Sequence, residues 1–492
     1  MSPTPLPTAP RAGRRWRPAA LATVTALALL APVAPTPAQA AGYPSDRDKP
    51  SLTGLLVGYR ALWRPSDPKS MKGTVRNSSQ LAWNDRMASW INQNATPAQQ
   101  FRALQDAEYL SADRSGYDQS ITISEGLGKR LGTLYVQGRI TGKLPLTSKL
   151  LNTTDGLVGN YLTTGSAKKA YSYPRPFLPT NASAKRVSGD SSSCSPSTIN
   201  ARSLAKIRKG KAWADSKGNL KITRVRPAVD TTRTFATTDV RLDAGYGGKS
   251  LCTGGSFPSG HTRAAYAAGI ALATLLPELA PSILARTSEA ANNRIVLGVH
   301  YPLDVIGGRI GGEAAVATRW SDKAFRDGVL IPARNELVGY LQAGCGSALA
   351  ACIASDQPYS NNPYDGAKPP RGSNQVVTGR STALAVYTER LSYGFSTTQK
   401  RGRAASVPSG AENLLRTAFP SLSSAQRKDV LAQTEIGSGH ALDTTELHRK
   451  KKGPGSWQRL NLAAAMSATV KLSKKGKVTV LSVGGQPRVI KA

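Results

Sequence analysis

The feature that most constrains this chain is an apolar run from Ala264 to Leu276, mostly alanine and without a charge, stopped by Pro277 and Glu278. It is too short for the roughly 20 residues that a bilayer span requires. A helix apolar on every face has to be buried, so the run predicts a helix inside a protein core. The surrounding pattern agrees. Apolar residues recur at three-to-four spacing over 81–94, 96–108, 120–141 and 146–164, then again over 261–297, 302–320, 412–419 and 424–434. Thr96-Pro97 is a good helix start, with proline at the first helical position, and Gly142 and Pro145 punctuate a boundary. The expected fold is mainly α, a helical bundle.

Three stretches break the pattern. Residues 41–76 are rich in Pro, Gly and charge and have little periodicity. Residues 177–250 are polar and hold 14 Lys/Arg against five Asp, which reads as an insertion covering or bordering a site. Within it, 213–226 suggests a hairpin turning at Gly218-Asn219. A Gly/Pro/Asn-rich connection spans 355–374, and 469–483 alternates like a small hairpin around Lys475-Gly476. The expected layout is a leader at 1–40, an irregular segment at 41–76, and a helical domain at 77–345 containing the 177–250 insertion. A helical extension at 346–462 and a basic tail at 463–492 follow. Minor β structure is expected in the insertion and the tail.

Arg11, Arg14, Arg15 and Arg17, an apolar stretch over 19–34 and Ala38-Gln39-Ala40 have the order of a secretory signal peptide, with a membrane anchor as the rival reading. Sec and twin-arginine routes both stay open. Without those residues, 492 − 40 = 452 remain, with net charge (65 − 4) − 30 = +31. Such a charge draws anions: phosphorylated metabolites, anionic cell-wall polymers, membrane surfaces and nucleic acid, among which charge alone does not choose. The mature chain is expected to be secreted or wall-associated, with no membrane span. Cys194, Cys252, Cys345 and Cys352 permit three pairings, of which Cys194–Cys252 with Cys345–Cys352 is preferred. Zinc is disfavoured, because no Cys-x-x-Cys spacing or His cluster is present.

Two of the four histidines, His261 and His300, lie in segments suited to phosphate chemistry. Phe257-Pro258-Ser259-Gly260-His261 feeds a helix start, where backbone N–H groups and the helix dipole receive an anion. Gly260 admits close backbone approach, Ser259 adds a hydroxyl, and His261 would protonate a departing alcohol. Asn293-Arg294-x5-His300-x3-Asp304 pairs a nucleophilic imidazole with a carboxylate that fixes its tautomer. Lys168 and Arg175, in Lys-x6-Arg-Pro, add fixed cations for the equatorial oxygens, as does Arg294.

These three motifs, in this order, resemble the type 2 phosphatidic acid phosphatase superfamily, which includes bacterial nonspecific acid phosphatases and vanadium-dependent haloperoxidases. The resemblance implies a helical bundle in which Lys168, Arg175, Ser259, Gly260 and Arg294 hold phosphate. It implies His261 as acid, His300 as nucleophile and Asp304 as its orienter, without metal. Asn293 stands where the family often has serine, and as a donor it is expected to substitute. The function implied is an exported acid phosphatase acting through a phosphohistidine, with no cofactor and with vanadate as an inhibitor. The alternatives are a haloperoxidase using vanadate as cofactor, and a non-catalytic binder of anionic polymers. Nucleic acid is not an expected partner.

Each motif also has a structural reading: a capped helix start, a surface His–Asp bond, a solvated basic face. Val407-Pro408-Ser409-Gly410-Ala411 repeats the turn without the histidine, and Gly437-Ser438-Gly439-His440 has the histidine without the proline. His448 adjoins a basic run. His300 is expected to be semi-exposed, and the two site histidines are expected to titrate apart.

Overall fold

In a computed structural model, which describes residues 42–68, 70–108, 116–449 and 455–491, the alanine run forms the centre of the fold. The leader expected at 1–40 lies outside the described residues. Helix α1 (Ser78–Asn94) is capped by Asn77, whose side chain accepts from Gln80 N, and α2 (Pro97–Gln105) by Thr96 in the same way. Then come α3 (Lys129–Ile140), α4 (Pro145–Leu151), α5 (Gly165–Tyr171) and α6 (Arg202–Arg208). The core helices are α7 (Gly260–Leu275), α8 (Ala280–Val296) and α9 (Pro302–Ser321), followed by α10 (Ile331–Cys345), α11 (Leu349–Ser355), α12 (Arg380–Arg390) and α13 (Ser424–Thr434). Among the described residues no single helix is long and apolar enough to cross a membrane.

Every residue of α8 is buried, and almost every residue of α7 and α9. A turn starting at Pro277 reverses the chain by 113° between α7 and α8. Helices α7 and α9 approach closely because glycines face the contact. A Cβ on Gly308 would lie 2.8 Å from the Ser259 carbonyl, and one on Gly312 2.6 Å from the Tyr266 side chain. This close approach brings the start of α7 beside the start of α9, where Ser259 N donates to the Asp304 carbonyl at 3.0 Å.

The β structure consists of small pieces: antiparallel pairs β1 (Trp63–Pro65) with β2 (Gly73–Val75) and β3 (Ala228–Asp230) with β4 (Val240–Leu242). At the tail, β5 (Thr469–Leu472) pairs antiparallel with β6 (Val478–Ser482) and parallel with β7 (Arg488–Lys491). The fold is mainly α, and both disulfides take the preferred pairing.

Several expectations need correction. The helix read over 120–141 breaks at Gly128, which has φ +102°. There Asp356 accepts from Arg130 N at 2.8 Å and Leu131 N at 2.9 Å, so α3 is capped from a distant part of the chain. The helix read over 146–164 ends at Leu151, because the Asn152 side chain accepts from Thr154 N and Asp155 N and competes with the helix. The stretch read as 261–297 is two helices, and 412–419 shrinks to a 3-10 turn, Ala411–Leu415. The 213–226 hairpin reduces to one bridge, Ala214 with Leu220, because Thr223 pairs instead with the Asn92 side chain. Helices α10 and α12 and strand β7 were not anticipated. The segment 41–76, expected to be irregular, holds short helices at Pro44–Arg47 and Leu52–Leu55 and the strands β1 and β2, and Leu52, Leu56, Tyr59, Leu62 and Trp63 are buried in the main core.

Candidate active site

Pro302 and a capping pair start α9: Asp304 Oδ2 accepts from Tyr301 N at 2.8 Å, and Asp304 N donates to the Tyr301 carbonyl at 3.0 Å. His300 therefore sits directly before the helix, with Nδ1 3.1 Å from Asp304 Oδ2. Its other nitrogen, Nε2, lies 3.0 Å from Arg175 Nη1. A guanidinium only donates, so Nε2 is the bare nitrogen and Nδ1 carries the hydrogen that Asp304 accepts. The bare lone pair is the one a nucleophile needs. His300 is 1 % exposed, so it is buried rather than semi-exposed.

The cations are positioned by backbone oxygens of the loop before α7. Lys168, on α5, donates from Nζ to the carbonyls of Gly255 at 2.5 Å and Ser256 at 3.2 Å. Arg175 donates from Nε to the Gly254 carbonyl at 3.1 Å and from Nη1 to the Val299 carbonyl at 3.0 Å. A Cβ on Gly255 would lie 2.9 Å from the Lys168 carbonyl, so this approach requires glycine. Arg294 is buried near the end of α8, and its carbonyl accepts from Val299 N and His300 N at 3.2 Å each. Ser259 caps α7, its hydroxyl oxygen accepting from Thr262 N at 3.2 Å. Gly260 and His261 form the first turn, where helix N–H groups have no intrahelical partner. His261 Nε2 lies 3.3 Å from the Ala107 carbonyl.

Burial, with the charges of Arg175, Lys168 and Arg294, pushes the His300 pKa well down. Burial and Arg294, with Arg175 and Lys168, push His261 down as well, against the Ala107 carbonyl. The two histidines thus shift in the same direction, because both are buried and the same cations face both. Lys168 is pushed well down by burial and by Arg175, and Arg175 to about 10 by burial and Arg294. Burial raises Asp304 to about 6 against its hydrogen bonds and these cations.

All eight predicted site residues belong to one neighbourhood. His440 does not: its charged neighbours are Asp443, Arg309, Arg401 and Arg459. Asn293, which stands where the family often has serine, does act as a donor, from Nδ2 to Asp106 Oδ2 at 2.7 Å. The sequence reading missed Ser256, whose hydroxyl donates to Asp304 Oδ2; its position just before Phe257-Pro258-Ser259-Gly260-His261 is the one available signal. It also missed the aromatic backing, where Tyr59 stacks on Phe257 at 3.7 Å. Residues of the 177–250 stretch meet the segment around His300: Phe177 N donates to the Gly298 carbonyl at 3.1 Å, and Arg208, paired with Asp85, donates to the Tyr301 hydroxyl at 3.0 Å. A cavity of about 870 Å³, lined by Glu125, Lys129, Val136, Phe235 and Tyr359, holds none of the eight.

Residues 212–326 match the PAP2 superfamily. That segment contains the second and third motifs but not Lys168 or Arg175. An acid phosphatase from Zymomonas mobilis is 36 % identical over 114 residues, 23 % of this chain and 40 % of that protein. A non-specific acid phosphatase from Providencia stuartii is 38 % identical over 76 residues, 15 % of this chain and 31 % of that protein. The chain therefore spans less than half the length of these curated relatives. Residues 212–326 thus resemble the PAP2 superfamily, and part of the chain is similar to two bacterial acid phosphatases.

Proposed function

We propose that this protein is a phosphatase that hydrolyses phosphate monoesters through a phosphohistidine on His300. The observation that carries the reading is the Arg175–His300–Asp304 chain, which leaves Nε2 bare beside fixed cations. Nε2 attacks phosphorus in line, the P–O bond to the alcohol breaks, and His261 passes its proton to the departing oxygen. Lys168, Arg175 and Arg294, with the Gly260 N–H and the Ser259 hydroxyl, meet the charge on the equatorial oxygens. Water then attacks phosphorus, the P–N bond breaks, and His261 takes the proton of the water. Phosphate leaves, and His300 regains its bare nitrogen. Asp304 holds Nδ1–H throughout and balances the charge that develops on the ring.

In this reading the charge stabilisation comes from side-chain cations and N–H groups, so excess EDTA leaves turnover unchanged and vanadate inhibits competitively. The substrate is a phosphorylated small molecule or a lipid headgroup. Export of the chain, with residues 1–40 as its leader, is part of the proposal and accords with the two disulfides. The decisive test is His300→Ala. Turnover should fall by roughly 10⁴-fold or more, and the base-stable phosphoenzyme trapped in the unaltered protein should vanish. Near-normal turnover in a folded variant would refute the mechanism.

A further inference from the structure

Asp106 lies outside the phosphate cluster yet reaches both of its sides. It is fully buried at the end of α2. Arg286 donates to its two oxygens at 2.7 and 3.0 Å, and Asn293 donates to Oδ2 at 2.7 Å. Gln119 donates to its carbonyl at 2.9 Å. Asn293 immediately precedes Arg294, and Ala107, which immediately follows Asp106, presents its carbonyl 3.3 Å from His261 Nε2. A carbonyl only accepts. The contact therefore requires hydrogen on Nε2 and leaves Nδ1 as the nitrogen for the proton exchanged with substrate.

We infer that Asp106 is a positioning residue for proton transfer, holding the Ala107 carbonyl against His261 and, through Asn293, the chain at Arg294. The inference rests on the phosphatase reading for its kinetic part. Physically, a fixed carbonyl beside Nε2–H favours the imidazolium that an acid must be. It works against burial and against the charged groups facing His261: Arg294 from α8, Lys168 from α5 and Arg175 beyond it. His300, before α9, also interacts with it. A loop released from Asp106 would lose that support, and His261 would give up its proton at lower pH.

The test is Asp106→Asn, which keeps the size and removes the charge that grips Arg286. Hydrolysis of ethyl phosphate and of p-nitrophenyl phosphate would be followed across pH. The expected loss is at least tenfold larger on ethyl phosphate, whose leaving group needs a proton, and the alkaline limb of kcat/KM moves to lower pH. A buried ion pair with a structural role alone would lower both substrates equally and leave the limb in place; that result overturns the inference. Should Asp106→Asn fail to fold, the unaltered protein labelled with ¹⁵N-histidine decides, with His261→Ala giving the assignment. Neutral His261 should be the Nε2–H tautomer; the Nδ1–H tautomer would sink the idea. The spectra do not require turnover, so an inactive protein would count against the phosphatase reading and not against this contact.

Discussion

Helix α8 carries two buried arginines, Arg286 and Arg294, separated by about two turns, and the cations beside the one differ from those beside the other. Arg286 is neutralised: it pairs with Asp106 and Glu125, while Arg102 beside it pairs with Glu125 and Glu289. At the other end, Lys168 and Arg175 make no ion pair among the described residues. Their hydrogen bonds go to carbonyls and to His300. The titrations follow. Arg286 is held well above its ordinary value by Asp106, Glu125 and Glu289 despite burial, whereas burial and Arg294 bring Arg175 to about 10. A compensated cluster has no need of an anion. Lys168 and Arg175, which have only the nearby charge of Asp304 set against them among the described residues, are stabilised by binding one.

The largest effect that tests this contrast is a reversal between stability and activity. Arg286→Met strands two carboxylates and should lower unfolding free energy by about 3–5 kcal/mol. Arg175→Met removes three hydrogen bonds, each of about 1 kcal/mol, but also relieves the burial of a cation without an ion pair, so it should cost less than Arg286→Met, while turnover falls by roughly 10²–10³-fold. Denaturant unfolding of the two variants, set beside their rates, measures both. Equal destabilisation would mean that the two ends of α8 are energetically alike, and the contrast would fail.

A somewhat smaller effect concerns the anion itself. Inorganic phosphate at 100 times its dissociation constant should stabilise the protein by about 2.7 kcal/mol, because it binds the folded state alone. Thermal unfolding with and without phosphate reads this directly. The shift should nearly disappear in Arg175→Met at the same phosphate concentration. If the variant keeps the full shift, the phosphate that stabilises the protein binds elsewhere on its basic surface.

The contrast also separates what was legible in the sequence from what was not. The cationic end was legible, because its residues fall in short motifs whose chemistry is local: a capped turn at Ser259, a carboxylate one helical turn beyond His300, an arginine seven residues after Lys168. Helices α1, α9 and α13 were legible from periodicity, to within a few residues. The compensated end was not. Asp106 meets Arg286 and Asn293 across more than 170 residues of chain, and nothing local marks Asp106 as anything but a polar helix end. Ser256 and the Asp356 cap on α3 were hidden for the same reason. For Asn293 the residue type says only that it can donate, while a distant carboxylate decides where its side chain points.

The smallest effect is on pH, and its sign follows from the shared cations. His300 has to be neutral to attack, so it works above its pKa; His261 has to be protonated to donate, so it works below its own. Both are pushed down from about 6.5 in the free protein, and kcat/KM reports the free enzyme. Its maximum should therefore lie on the acid side of 6.5. The ascending limb belongs to the His300–Asp304 pair, since Asp304 is raised to about 6 and shares the titration. Bound phosphate dianion favours the His261 imidazolium, so the alkaline limb of kcat should lie above that of kcat/KM. Lys168 lowers both histidines. Lys168→Gln should then move both limbs upward, by on the order of one unit or less, equivalent to about 1.4 kcal/mol, while the rate itself drops. Limbs that stay in place, or move to lower pH, would show that Lys168 does not set the charge felt by the two histidines. The low titrations of the two histidines would then be owed to burial.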